Sequence, residues 1–263
     1  MKKLLFILLL FGLNFVTCTN DNELPFNGID KYNESIQGIL DIMNMDRPDD
    51  SYNYPVYPGT KEWESLSSGD EMLKACQIPE KTTKAMSTQA LIQAIWEYPL
   101  VYEVFHRYQY QRDFEALFFQ NNAYIELCKR KDAGKALLTR MEAVDPLSVD
   151  RVLKILDLLI AQNVFASQLN TNEKRTVIEI GLRTDELRQQ QISLADGSDR
   201  AITWLMFGRV MKSADFDGFV KEVSRNEQLN DFLNTTNYVY MDVVYGDIPQ
   251  IIVHYAQDFI QTN

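Results

Sequence analysis

From Lys61 onward the hydrophobic positions recur at the helical period. Val149, Val152, Leu153, Leu156, Leu159 and Ile160 follow the i, i+3, i+4, i+7 rule of an amphipathic helix. Leu91, Ile92, Ile95 and Trp96 do the same, with Ser87 or Thr88 in place to cap the helix start. Trp204, Phe207, Gly208 and Met211 form one further stripe, as do Phe216, Phe219, Val220 and Val223, and Ile248, Ile251, Ile252, Tyr255 and Phe259. Start signals punctuate the pattern. Ser68 with Glu71 and Asn170 with Glu173 have capping-box spacing, in which each side chain satisfies an orphan N–H of the first turn. Asp145-Pro146 is another start signal, and Pro99 suits the first turn of the next helix. Only Tyr238 to Tyr245 has a strand-like β-branched and aromatic content, and one strand lacks a partner, so helix is expected there too. Glycine (11) and proline (8) are too scarce for the turns of a sandwich or barrel. The pattern predicts an all-α domain over 61–263, a compact irregular array of about ten helices. No repeat of fixed period is present, so a short α-solenoid is the alternative.

The pattern changes towards the start of the chain. Lys2 and Lys3 precede an apolar run from Leu4 to Val16 broken only by Gly12 and Asn14. That run is short of the roughly 20 residues a spanning helix needs and matches an export signal. It ends at Phe15-Val16-Thr17-Cys18, which resembles a bacterial lipobox, with Phe15 where Leu is usual and Thr17 where a smaller residue is usual. The expectation is cleavage before Cys18 and lipidation of its thiol with diacylglycerol and fatty-acyl (palmitate) chains; ordinary cleavage after Cys18, giving a secreted protein, is the alternative. Several acyl chains hold a protein on a membrane, whereas one does so only marginally. Residues 1–17 are thus read as a lipoprotein signal peptide. Residues 18–60 are an acidic tether and extended arm, with one short helix expected at 35–45 and the Pro- and Tyr-rich Tyr52 to Gly59 irregular. The expected place is the cell envelope, anchored to the outer membrane and facing the periplasm or the surface.

Net charge is −11, and loss of Lys2 and Lys3 with the signal takes it to −13. Such a surface repels phosphate backbones, so nucleic acid is excluded as a partner. Nor does it suit lying flat on anionic lipid, which leaves the holding to the anchor.

Glu71-Met72-Leu73-x-x-Cys76-Gln77-Ile78-Pro79-Glu80, Met86-Ser87-Thr88-x-x-Leu91, Tyr98-Pro99-Leu100 and Lys129-Arg130-Lys131-Asp132-Ala133-Gly134 follow one another in an order that resembles a Bacteroides-type exported lipoprotein family, over about residues 61–140. The family has no assigned activity. The resemblance implies the compartment and a helical domain, and supplies no catalytic residues.

Chemical candidates are few. Glu103-x-x-His106 would place a carboxylate and an imidazole on one helix face, but a di-iron site needs a second such motif, and the only other histidine, His254, has Ile251 three residues before it. Asp215-x-Asp217-Gly218 echoes a calcium loop yet puts Ser213 and Ser224 where Asp and Glu are required. Asp196 to Asp199 reads as a turn with Asp199 capping the next helix. Cys76 with His106 could pair as thiolate and imidazole, but Cys76 falls on an apolar face. Cys76 and Cys128 are expected to be buried free thiols. Lys129-Arg130-Lys131 reads as a solvated helix end before an Asp132 cap. Tyr98, Tyr102, Tyr108, Tyr110 and Tyr124 read as core and rim more than as a sugar platform. No catalytic, metal or cofactor residues are assigned. The sequence favours an anchored module that binds a protein, peptide or glycan partner; the alternative is an envelope hydrolase acting on glycosides or peptidoglycan through scattered acids.

Overall fold

A computed structural model describes residues 47–105, 110–144, 150–190, 197–235 and 247–262. Cys18 with its signal and tether, the short helix expected at 35–45, His106, Asp145-Pro146 and Tyr238 to Tyr245 lie outside the described residues.

The fold is all-α. Among the described residues there are fourteen α-helices and one 3-10 helix. The helices are α1 (Lys61–Ser65), α2 (Gly69–Ala75), α3 (Glu80–Ala85), α4 (Thr88–Trp96), α5 (Tyr110–Phe118), α6 (Asn122–Leu127) and α7 (Ala133–Ala143). After these come α8 (Asp150–Ile160), α9 (Asn163–Ala166), α10 (Thr171–Gln190), α11 (Gly197–Ser213), α12 (Asp217–Arg225), α13 (Glu227–Thr235) and α14 (Ile248–Gln261). Five of them have only four to seven residues, which is why the count exceeds the number read from long periodic runs. Helices that short are unstable alone and persist through tertiary packing.

Caps set the boundaries. The Ser87 side chain accepts from the Ala90 N–H and starts α4. Asn170 and Glu173 form a reciprocal box on α10: the Glu173 N–H donates to Asn170 Oδ1 at 3.0 Å, and the Asn170 N–H donates to Glu173 Oε2 at 2.9 Å. At α2 the Ser68 hydroxyl accepts from the Glu71 N–H, but the Glu71 carboxylate reaches past Ser68 to the backbone and hydroxyl of Ser67. Two boundaries differ from expectation. Pro99 lies in a turn, and a 3-10 helix (Val101–Phe105) begins two residues later. Helix α11 begins at Gly197, so Asp199 sits within its first turn and not at its cap.

Helix α11 is the hub. It packs against α8, α9, α10, α12, α13 and α14. Trp204, Phe207, Gly208 and Met211 face inward as expected, but Ala201, Ile202, Leu205, Met206 and Val210 are buried too. A helix with buried residues on most of its sides belongs inside a large core, not on a surface with one stripe. Gly181 lets α10 approach it: a methyl there would meet the Phe207 ring at 2.3 Å. The other half of the molecule centres on α4, which packs on α6 and α7, and α7 joins the halves through α8, α9 and α10.

Residues 47–60 belong to this packing. Tyr54 and Tyr57 are buried, and Tyr54 heads a row of rings that runs through Tyr98, Phe118 and Tyr124 to Phe165. No helix among the described residues is long and apolar enough to cross a membrane.

Candidate functional site

Helix α7 carries two kinds of chemistry on two faces. Its inner face presents Ala136, Leu137, Arg140 and Met141, all buried. Arg140 is the largest fully buried side chain among the described residues. A guanidinium out of water needs compensation. Gln89 Oε1 accepts from its Nε at 2.7 Å and Gln93 Oε1 from its Nη1 at 3.1 Å. The Trp96 ring lies 5.9 Å away. Burial lowers the pKa of Arg140 to about 10, against which Glu97 acts to raise it.

Glu97 is 2 % exposed. Gln93 Nε2 donates to it at 2.8 Å. Arg47 grips it in a fork, Nε to Oε1 at 2.8 Å and Nη2 to Oε2 at 2.9 Å. A continuous polar chain therefore runs from the arm through α4 to α7: Arg47, Glu97, Gln93, Arg140, Gln89.

The outer face of α7 forms one wall of a groove of about 300 Å³, and the first turns of α10 form the other. Lys135, Leu138, Thr139 and Glu142 line it from α7; Asn170, Asn172, Glu173 and Thr176 line it from α10. Leu138 is buried and gives an apolar floor. Lys135 Nζ and Glu173 Oε1 are 3.4 Å apart across the gap. Thr139 and Thr176 donate back to the carbonyls of Lys135 and Asn172, which leaves both hydroxyl oxygens able to accept. Asn170 and Asn172 use their amide oxygens within α10, on the Glu173 N–H and on Arg175, which leaves their NH2 groups as donors on the wall. Ammonium, carboxylate, amide and hydroxyl groups over a small apolar floor suit a ligand rich in hydroxyl or peptide groups.

No family model, no curated protein and no solved structure matches this chain.

The residues singled out from sequence are not gathered here. Cys76 is fully buried, and burial pushes its thiol up to about 12, so it stays protonated at neutral pH. Cys128 is a free thiol as well, but only half-buried. Glu103 lies in the 3-10 helix, and His106 lies outside the described residues. Asp215 takes a left-handed turn (φ 49°), Asp217 opens α12 and pairs with Lys221 at 2.6 Å, and no group of three metal-binding side chains is found among the described residues. Lys129 and Arg130 are tied back to Glu126, and Arg130 also donates to the carbonyls of Thr83 and Lys84. Asp132 occupies the α7 cap position without bonding the helix; its carboxylate accepts from the Thr88 hydroxyl. Tyr98, Tyr110 and Tyr124 are core. The groove residues escaped the sequence reading, with the exception of the Asn170–Glu173 cap. Lys135, Thr139 and Glu142 are merely the polar face of one helix, and nothing in their spacing names the helix opposite.

Proposed function

We propose that this chain is a lipid-anchored protein of the cell envelope, a member of the Bacteroides-type exported family it resembles. Cys18 holds it on the outer membrane, and its helical domain binds a protein, peptide or glycan partner in the α7–α10 groove. The observation that carries the binding reading is the groove itself: an open cleft of about 300 Å³ whose walls offer donors and acceptors of both charges. The tether read over residues 19–34 spans about 55 Å at full stretch and gives the domain reach from the membrane.

Two experiments test this. Cells fed a clickable fatty acid should label the wild type and not Cys18→Ala; equal labelling of both removes the anchor. The purified chain should bind one class among peptidoglycan fragments, glycans and peptides, and Thr139→Trp, which fills the groove from an exposed position, should cut that affinity at least about tenfold. Binding indifferent to Thr139→Trp removes the groove from the reading. Turnover of one of these ligands, abolished by Glu142→Gln with the fold intact, replaces binding with hydrolysis.

A further inference from the structure

The groove between α7 and α10 has two unlike ends. Lys135, Leu138, Thr139 and Glu142 stand at i, i+3, i+4 and i+7, so one stripe of α7 faces the cleft. Lys135 and Glu142 are two turns apart, which separates them by about 10 Å along the helix axis. The Lys135 end is rich in donors. It lies against the first turn of α10, where Lys135 Nζ is 3.4 Å from Glu173 Oε1. Glu173 is committed to the fold: its other oxygen accepts from the Asn170 N–H, and its side chain is 19 % exposed against 73 % for Lys135. An ammonium has three protons, so two remain for a ligand. The NH2 groups of Asn170 and Asn172 belong to the same turn, and the positive end of the 20-residue α10 favours an anion beside it.

The Glu142 end is the reverse. Glu142 is exposed in the last turn of α7, and among the described residues no cation pairs with it. Between the two ends, Leu138 floors the groove and the hydroxyl oxygens of Thr139 and Thr176 are able to accept.

We infer that the groove takes a short peptide with both termini free, about three residues long, its carboxylate at Lys135 and its ammonium at Glu142. This rests on the reading of the groove as a binding site and names its ligand. An extended chain advances about 3.3–3.6 Å per residue, so three residues match the spacing of the two charges. The Asn amides donate to the peptide carbonyls, the Thr hydroxyls accept from its N–H groups, and Leu138 meets one apolar side chain. A neutral glycan, or an internal segment of a longer chain, brings no terminal charges and leaves both ends of the groove unmatched. No aromatic ring is among the described residues that line the groove, so a sugar has no plate to stack on. The net charge of −11 repels anionic chains, whereas a peptide with free termini and neutral side chains is uncharged overall.

Calorimetric titration of the full chain at low salt tests this with four probes: trialanine, N-acetyl-trialanine, trialanine amide and chitotriose. Trialanine should bind. Both groove charges are exposed, so blocking either terminus should weaken binding only about three- to fivefold, less as salt is added. Glu142→Gln should abolish the difference between trialanine and its acetylated form but keep the difference from the amide. Lys135→Gln should do the opposite. That crossed pattern is one a merely structural role for either residue would not give. Trialanine that fails to bind, or that binds no better than its blocked forms, overturns the inference. Chitotriose binding that Thr139→Trp removes, with no binding of trialanine, overturns it too and leaves the groove as a binding site. Trialanine binding indifferent to Thr139→Trp overturns the groove and the inference together.

Discussion

Single residues in this protein are held by what lies one contact away, and two glycines make the point in opposite directions. Gly134 sits in the first turn of α7, with its N–H donating to Gln168 at 2.9 Å. A methyl added there would come within 2.6 Å of the Phe165 carbonyl oxygen, which is backbone and cannot rotate away, and within 3.1 Å of Gln168 Cβ. Gly134→Ala should therefore cost about 1–3 kcal/mol, the usual penalty of overpacking. Gly69, at the start of α2, has nothing within 4 Å of such a methyl. Gly69→Ala should be neutral or stabilising by up to about 1 kcal/mol through helix propensity and a less free unfolded chain. Urea denaturation of the two variants beside the wild type checks both signs. A destabilised Gly69→Ala, or an unaffected Gly134→Ala, would show that the packing around α7 and α2 is other than described. Glu97 is a third case. Its burial is tolerable because Arg47 and Gln93 satisfy both carboxylate oxygens: Gln93 lies one helical turn back, but Arg47 comes from 50 residues away.

At the scale of the element, what is local was legible and what depends on a distant segment was not. The Asn170–Glu173 box was readable because a cap is a property of four consecutive residues. It is also testable: Asn170→Ala should cost about 1 kcal/mol, with Asn170→Gly milder by several tenths. The loss should appear in thermal melts as a lower midpoint without change in the native helical signal, and equal stability of all three proteins would deny the cap any weight. Because Asn170 and Glu173 also line the groove, Asn170→Asp separates the two roles: it keeps the cap and removes the amide donor. The stripe on α11 was legible only as far as Trp204, Phe207, Gly208 and Met211, since Thr203 and Arg209 interrupt the run and suggest a wet face. Both are internal. Thr203 donates to Asp157 at 2.6 Å, and Arg209 donates to Gln111, to the Leu233 carbonyl and to the Ala161 carbonyl. Polar residues matched by partners on other helices look like surface until those helices are placed. The groove fails the same way, because half of it belongs to α7 and half to α10.

For the whole molecule, the decisive feature is how many ionisable groups are stored neutral in the core. Burial raises the pKa of Tyr54 and Cys76, and likewise of Tyr57, Tyr98 and Tyr124. Cys76 moves from 9.0 to about 12, and the phenols from 10.0 to well above their ordinary value. These are acids whose folded pKa exceeds the unfolded one, so between the two values the folded state keeps the proton that the unfolded state has lost. Stability falls with rising pH wherever the folded state binds more protons. Their contribution is intact below pH 9 and declines above it, first through Cys76 and, from about pH 10, through the four phenols together. Buried Arg140 works in the other direction: its folded pKa is lowered to about 10, which favours the folded state as pH rises beyond that. Burial lowers the pKa of Arg209 and Lys174 too, but these three bases act against six acids, Cys128 being the sixth, so the balance is alkaline destabilisation. Tyr54, Tyr57, Cys76 and Tyr98 all belong to the one buried core, so their ionisation requires that core to open. The thermal midpoint should hold steady from pH 7 to 9 and drop progressively from pH 9 to 11. Phenolate absorbance from the buried tyrosines should emerge with the loss of helical signal and not before it. Cys76→Ala should blunt the earliest part of the decline. A midpoint that stays flat to pH 11, or phenolates that form while the helices remain intact, would mean that these side chains meet water in the folded protein.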